Sequence, residues 1–210
     1  MGSGAQTSPE EPSRSVEVEL KFDVDDATPL PDWTSMPGVA SVSPPEVREL
    51  DARYFDTADL ALARAGYAVR RRTGGPDAGW HIKGPREGDG RTEWHWPLGD
   101  EDRVPEGLRA HLASVTDAEL TPLARIRNHR TAYHLRDADG GVLAEFVDDH
   151  VVATDERRGV EQTWREWELE LGDAAPDDPA AFFAAATDAA HAAGARPAAS
   201  DSKLARTLGF

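Results

Sequence analysis

The 210-residue chain contains no cysteine, which excludes a disulfide framework, a thiolate nucleophile and a cysteine-liganded zinc site. No apolar run approaches the ~20 residues needed to cross a bilayer. The opening MGSGAQTSPEEPSRS lacks the hydrophobic segment of a signal peptide. A soluble, cytoplasmic protein without a membrane partner is therefore expected. Basic residues are in short supply: 23 Lys and Arg face 39 Asp and Glu, for a formal net charge of −16. Such a balance excludes a surface that grips a nucleic-acid backbone as a whole, though it leaves room for a local basic site. No glycine-rich phosphate loop is present either, so any phosphate must be held by side chains. Oligomeric state has no signature in the sequence.

Residues 1–15 are polar and without periodicity and read as a disordered lead, with one domain over 16–210. Eight stretches carry alternation or strong β character: 16–23, 47–56, 66–73, 78–84, 90–97, 123–135, 142–153 and 162–171. Turn signals separate them at Gly74-Gly75-Pro76-Asp77 and Gly88-Asp89-Gly90. The Asp137-Ala138-Asp139-Gly140-Gly141 run is the strongest hairpin signal. Helices are fewer. Thr57 can cap a short one ending before Gly66, a second falls near 105–113, and the last residues, 201–208, start at Asp201 and read as one or two turns. The Ala-rich run 178–193 opens on Asp178-Pro179 and stops before Gly194. The pattern is that of an α+β chain dominated by an antiparallel meander.

Several strands place charges at every second position. Glu17, Glu19 and Lys21 share one face, opposite Val16, Val18, Leu20 and Phe22. Arg70 pairs in this way with Arg72, His81 with Lys83, and Arg91 with Glu93 and His95. Glu166, Glu168 and Glu170 do the same near the end. One such strand is ordinarily a solvated face. Five together, with Trp80, Trp94, Trp96, Trp164 and Trp167 assigned to apolar faces that helices must cover, point to charged faces lining a closed barrel. A dry interior of that kind would be very costly. One holding water, divalent cations and a polyanion is not. Carboxylates without cysteine suit the hard ions Mg²⁺ or Mn²⁺. Arg and Lys suit phosphate oxygens, and metal with basic groups around a phosphate chain is the recurring arrangement for phosphoryl transfer.

At this point Glu17-Val-Glu19-Leu-Lys21 resembles the ExExK signature of the CYTH superfamily, the triphosphate tunnel metalloenzymes. The likeness continues in order through Asp51-Ala-Arg-Tyr54-Phe55-Asp56-Thr57, Val69-Arg70-Arg71-Arg72, Ile82-Lys83-Gly84-Pro85, Arg91-Thr-Glu93, Glu166-Trp-Glu168-Leu-Glu170 and Ser202-Lys203. The run Gly79-Trp-His-Ile-Lys-Gly-Pro is similar to the CYTH part of bacterial CYTH–CHAD proteins, although no helical CHAD-like domain is read within these 210 residues.

The resemblance implies an eight-stranded antiparallel β-barrel, a tunnel open at both ends with flanking helices, that binds a triphosphate with Mg²⁺ or Mn²⁺. By the same resemblance Glu17, Glu19 and Glu168 would hold the metal that bridges phosphate oxygens. Glu93, Glu170 and an aspartate, Asp148 or Asp149, would serve a second metal that positions the attacking water. Arg70, Arg72, Lys83, Arg91, Arg130 and Lys203 would neutralise the phosphate chain, and Lys21 would sit near the reacting phosphate. Two positions stay open. Alternation places Asp149 with Glu145, whereas the motif of an apolar residue followed by Asp favours Asp148. Arg130 fits the motif, with Arg127 in reserve on the other face unless a bulge intervenes. Tyr54 and Phe55 read as packing residues, Arg71 as an outer residue, and His81 and His95 as hydrogen-bonded neighbours of the charged face. The expected activity is metal-dependent hydrolysis of a linear triphosphate, most simply inorganic tripolyphosphate. Alternatives are a class IV-type adenylate cyclase, a thiamine or nucleoside triphosphatase, and a non-catalytic polyphosphate-binding module.

Overall fold

The structure, a computed structural model, describes residues 11–88, 90–99 and 103–210. Its strands are β1 (Ser13–Glu17), β2 (Glu19–Val24), β3 (Ser41–Val42), β4 (Glu46–Asp56), β5 (Ala68–Thr73), β6 (Gly79–Glu87), β7 (Gly90–Pro97), β8 (Thr121–Arg136), β9 (Val142–Asp155), β10 (Val160–Leu171) and β11 (Arg196–Pro197). Among the described residues four α-helices, α1 (Ala61–Arg64), α2 (Glu106–Leu112), α3 (Pro179–Ala193) and α4 (Lys203–Leu208), and a 3₁₀ turn at Trp33–Ser35 accompany them. Every one of the eight stretches appears as strand. Ser13–Ser15, placed by sequence in the lead, already lie in β1, while residues 1–10, and Asp89 of the 88–90 turn, are outside the described residues.

Hydrogen-bonded neighbours run β1-β7-β6-β5-β4-β8-β9-β10-β2-β11, with β3 on β8 beside this path, and every pairing is antiparallel. Where a closed eight-stranded barrel was expected, the described residues form an eleven-stranded sheet whose ladder is an open path. The first stretch divides at Val18, and β3 and β11 are two-residue strands too short to carry a period. The division matters. β1 pairs with β7 and β2 with β10, so the chain itself links two distant parts of the path at Val18, whose carbonyl also accepts from the Leu171 N–H at 3.1 Å.

Turn chemistry fixes the hairpins. The Asp137 carboxylate accepts from the Asp139 and Gly141 N–H groups at 2.9 and 2.7 Å, which sets the β8–β9 register. Gly74 sits at φ +77° against β4, where an added Cβ would lie 1.9 Å from the Glu49 carbonyl oxygen.

Three apolar clusters hold the molecule. Outside β5–β7, Trp80, Trp96 and Ile82 pack on Leu62 of α1 and on Leu108 and Leu112 of α2. Outside β9, β10 and β2, Phe146, Trp167 and Phe22 pack on Trp33 and on Phe182, Ala186 and Ala190 of α3. The third cluster lies on the charged side of the sheet: Ala52, Tyr54, Ile126, Val151 and Ala153 pack around Leu204 and Leu208 of α4. Trp164 joins this third group. It was expected on the apolar face of β10, yet it shares parity with Glu166, donates its indole N–H to that carboxylate, and lies under the Arg206 guanidinium at 4.7 Å.

Candidate active site

Alternation along nine strands delivers the charged side chains to one cavity of about 560 Å³. Of the expected residues, Glu17, Glu19, Lys21, Arg70, Arg72, Lys83, Arg91, Arg130, Glu168, Glu170 and Lys203 line it. The ladders account for the grouping, because Lys21 stands opposite Glu168, Glu19 opposite Glu170, Lys83 opposite Glu93 and Arg130 opposite Asp149. Lys203 comes from α4. The helix starts at Lys203, two residues after the expected start at Asp201, and is capped by Ser202, whose hydroxyl accepts from the Ala205 N–H at 3.1 Å. That cap sets Lys203 at the first helical position, where its ammonium meets Asp149 at 2.9 Å, Glu166 at 2.6 Å and Glu168 at 2.8 Å.

Each acid in the centre has basic partners. Glu168 contacts Lys21, Lys203 and, at 3.1 Å, Arg130. Burial pushes its carboxyl toward the neutral form, but those three cations dominate and hold it well below the usual range. Lys83 contacts Glu17, and Glu93 at 3.4 Å, while Arg70 reaches Glu93 at 3.5 Å. Glu170 is the exception. Burial, with Glu17 and Glu19 beside it, pushes its carboxyl up to about 8. Four carboxylates therefore crowd one corner, and Asp149, Glu166 and Glu168 offer oxygens all within 4.8 Å of one another. An all-oxygen donor set of this kind fits a hard divalent ion.

The basic side is just as distinctive. Arg72 is pulled down to about 9 by burial and by Arg70 and Arg130. The Nε groups of Arg70 and Arg72 are buried without a hydrogen-bond partner. Two guanidiniums held together with donors to spare form a receptor for phosphate oxygens. Arg91 is placed differently: its Nε donates to the Gly84 carbonyl at 2.6 Å and an amino group to that of Gly66 at 3.2 Å, tying β6 to the turn after α1 beside the cavity.

The structure decides both open positions. Asp149 is fully buried, holds Arg130 in a bidentate pair at 2.8 and 2.7 Å, and joins the central cluster. Asp148 lies on the opposite face, bidentate with Arg165 at 2.8 and 3.0 Å and accepting from the Trp167 indole at 3.1 Å, so its place in the metal set is corrected. Arg127 is likewise corrected: it is half-exposed on the outer face and pairs with Glu161 at 3.2 Å. No bulge separates the two arginines, because the ladder is regular from Arg125 to Arg130 and the face of Ile126, Asn128 and Arg130 is the inner one.

Some residues near the cavity were not anticipated. Tyr54, read as packing, lines it, and its hydroxyl accepts from Arg70 at 3.4 Å. Arg48 bridges Glu46 and Glu145, with His134 on Glu145 at 3.1 Å. His81, expected as a hydrogen-bonded neighbour of the charged face, is buried with Nδ1 2.7 Å from Glu93 and Nε2 2.9 Å from the Asp77 carbonyl. The parity of Arg48 with Ala52 and Tyr54 was the available signal, but charged residues occupy both faces of β4 and mask it.

A cavity walled by alternating carboxylates and cations on antiparallel strands suits a polyanion together with a hard divalent ion. The CYTH domain family matches residues 15–205, and the chain belongs to that family. Two curated relatives, the uncharacterized proteins MT2285 and Rv2226 of Mycobacterium tuberculosis, are each 42% identical over 210 residues, covering 94% of this chain and 41% of their own length. The chain thus spans about two-fifths of those relatives. Among solved structures, a putative adenylate cyclase of Bacillus halodurans superposes with a TM-score of 0.64 at 16% identity, covering 92% of this chain and 97% of that one. HpAC1 of Hippeastrum, described as revealing a dominant triphosphatase activity, gives 0.56 at 18% identity, with 92% and 95% covered. These superpositions establish the shared fold.

Proposed function

We propose that the chain hydrolyses a linear triphosphate inside the cavity, releasing orthophosphate and pyrophosphate. The observation that carries this reading is the pair of buried, donor-rich guanidiniums, Arg70 and Arg72, facing a carboxylate cluster in one cavity. Membership of a family that binds triphosphate-containing substrates supports it. The substrate's negative oxygens lie against Arg70, Arg72, Lys83, Arg130 and Lys203, which disperse charge as the bridging bond lengthens. Glu17, Glu19 and Glu168 are the residues that would hold Mg²⁺ or Mn²⁺, with Asp149 beside them. When bound, such an ion supplies charge neutralisation across the phosphate oxygens. Glu93 and Glu170 orient a water for in-line attack, and Glu170, raised to about 8, is suited to take its proton. A water oxygen bonds to the terminal phosphorus, the bridging P–O bond breaks, and pyrophosphate departs with that electron pair. Lys21, between Glu19 and Glu168, steadies the reacting phosphate.

The test is a substrate panel of tripolyphosphate, ATP, thiamine triphosphate and longer polyphosphate with Mg²⁺ or Mn²⁺, read as phosphate release. Tripolyphosphate is expected to turn over fastest. Glu168→Gln is expected to lower kcat/KM by at least about a hundredfold with an unchanged circular dichroism spectrum, and full activity in that variant would refute the assignment. Cyclic nucleotide from ATP would favour the cyclase, and tight binding without release a binding module.

A further inference from the structure

Beyond the cavity, β4, β8 and β9 set Glu49, His129 and His150 in one row on the outer face of the sheet. Glu49 stands opposite His129, and His129 opposite His150. All three are exposed, while their chain neighbours Leu50 and Asn128 line the interior and Asp149 is buried there. Arg165 continues the row on β10. Its guanidinium is occupied by Asp148 and by the carbonyls of Asp25, Asp26 and Thr28 at 2.8 to 3.0 Å, which ties the 25–28 loop down beside the histidines. The loop brings Asp26 to a groove of about 660 Å³ that Glu49, Asp51, His129, His150 and Thr163 also line.

A single exposed histidine carries no chemistry by itself, but this pair has an orientation and a setting. His129 Nδ1 lies against the Glu49 carboxylate, which can only accept, so the ring proton sits on Nδ1 and the Nε2 lone pair is left free. A carboxylate accepting from one ring nitrogen is the usual support of an imidazole that ligates metal through the other. Residues directly opposite on antiparallel strands have Cβ atoms about 4.5–5.5 Å apart, close enough for two imidazoles to close on one ion. Arg127, at the edge of the groove, is paired with Glu161.

We propose that this outer row is a second metal site, in which His129 and His150 bind a first-row divalent ion of the Zn²⁺, Ni²⁺ or Cu²⁺ type and Glu49 orients His129. Its donors differ in kind from those of the cavity. Imidazole nitrogen suits these borderline ions, whereas the all-oxygen set inside suits Mg²⁺ or Mn²⁺. The site is independent of triphosphate turnover.

Electron paramagnetic resonance of Cu²⁺ added to the full chain reads the ligand type directly. The wild-type protein is expected to show nitrogen hyperfine structure from two imidazoles. His129→Ala and His150→Ala should each remove the two-nitrogen pattern and weaken Cu²⁺ and Zn²⁺ binding at least about tenfold, with Glu49→Gln producing a loss of about tenfold or more. Glu168→Gln, inside the cavity, should leave the pattern in place. The proposal is overturned by an oxygen-only spectrum in the wild type, by wild-type binding in both histidine variants, or by loss of the pattern in Glu168→Gln. Circular dichroism on each variant separates loss of the site from loss of the fold.

Discussion

At the scale of the residue, Glu170 shows how this cavity handles charge. Every other carboxylate in the central group has a cation against it, while Glu170, buried near Glu17, Glu19 and Glu168 and only partly offset by Lys83, is pushed up to about 8. Its ordinary value is 4.5, so the folded state retains a proton that the unfolded chain has released. Metal-free stability therefore falls as pH rises from about 4.5 to about 8. A divalent ion entering the cluster competes with that proton, and its apparent affinity should rise with pH, at most about tenfold per unit, and level off above about 8. Glu170→Gln should flatten the profile, weaken binding and raise the metal-free melting temperature at pH 8. Free Mn²⁺, followed by its resonance signal between pH 6 and 9, checks the affinity. A wild-type affinity that does not change from pH 6 to 8 would rule out Glu170 as the competing group.

At the scale of the element, the β8–β9–β10 ladder assigns opposite tasks to adjacent residues. Asp149 works inside with Arg130 and Lys203, whereas one step along the strand Asp148 works outside with Arg165. Arg165 in turn holds three carbonyls of the 25–28 loop, so the Asp148 pair is a structural clamp. Breaking a buried pair by removing one partner costs about 3–5 kcal/mol. Asp148→Ala should lower stability by roughly that amount in denaturant titration, with turnover per folded molecule within about twofold of wild type. A stable but inactive variant would return Asp148 to the metal set. The same ladder shows what could be read in advance. Strands with like charges repeated at every second position, such as Arg70 and Arg72 or Glu166, Glu168 and Glu170, announced their inner side from parity alone. β4 did not, because Arg48 and Tyr54 alternate with Glu49, Asp51 and Arg53, and both faces look polar. The break at Val18 and the pairing of β3 and β11 arise from contacts distant in sequence, which no local period encodes. Trp164 was misplaced because its size suggested an outer core, while α4 supplies an apolar patch inside.

At the scale of the whole molecule, a net charge of −16 sets the long-range field, and that field opposes the approach of a polyphosphate anion. The cavity cations act only near contact, and in the free protein Lys21, Lys83, Arg130 and Lys203 are largely offset by the carboxylates against them. Screening should therefore help. The Debye length shrinks from about 30 Å at 0.01 M to about 8 Å at 0.15 M ionic strength, removing most of the repulsion while leaving contacts inside the cavity intact. At a fixed concentration of free Mg²⁺, kcat/KM for tripolyphosphate is expected to rise several-fold over that range, with the increase in KM⁻¹ and little change in kcat. A protein whose basic site dominated its field would show the reverse slope. A fall in kcat/KM with added salt would thus mean that Arg70, Arg72 and their neighbours project their charge beyond the mouth of the cavity, and that the acidic exterior does not govern encounter.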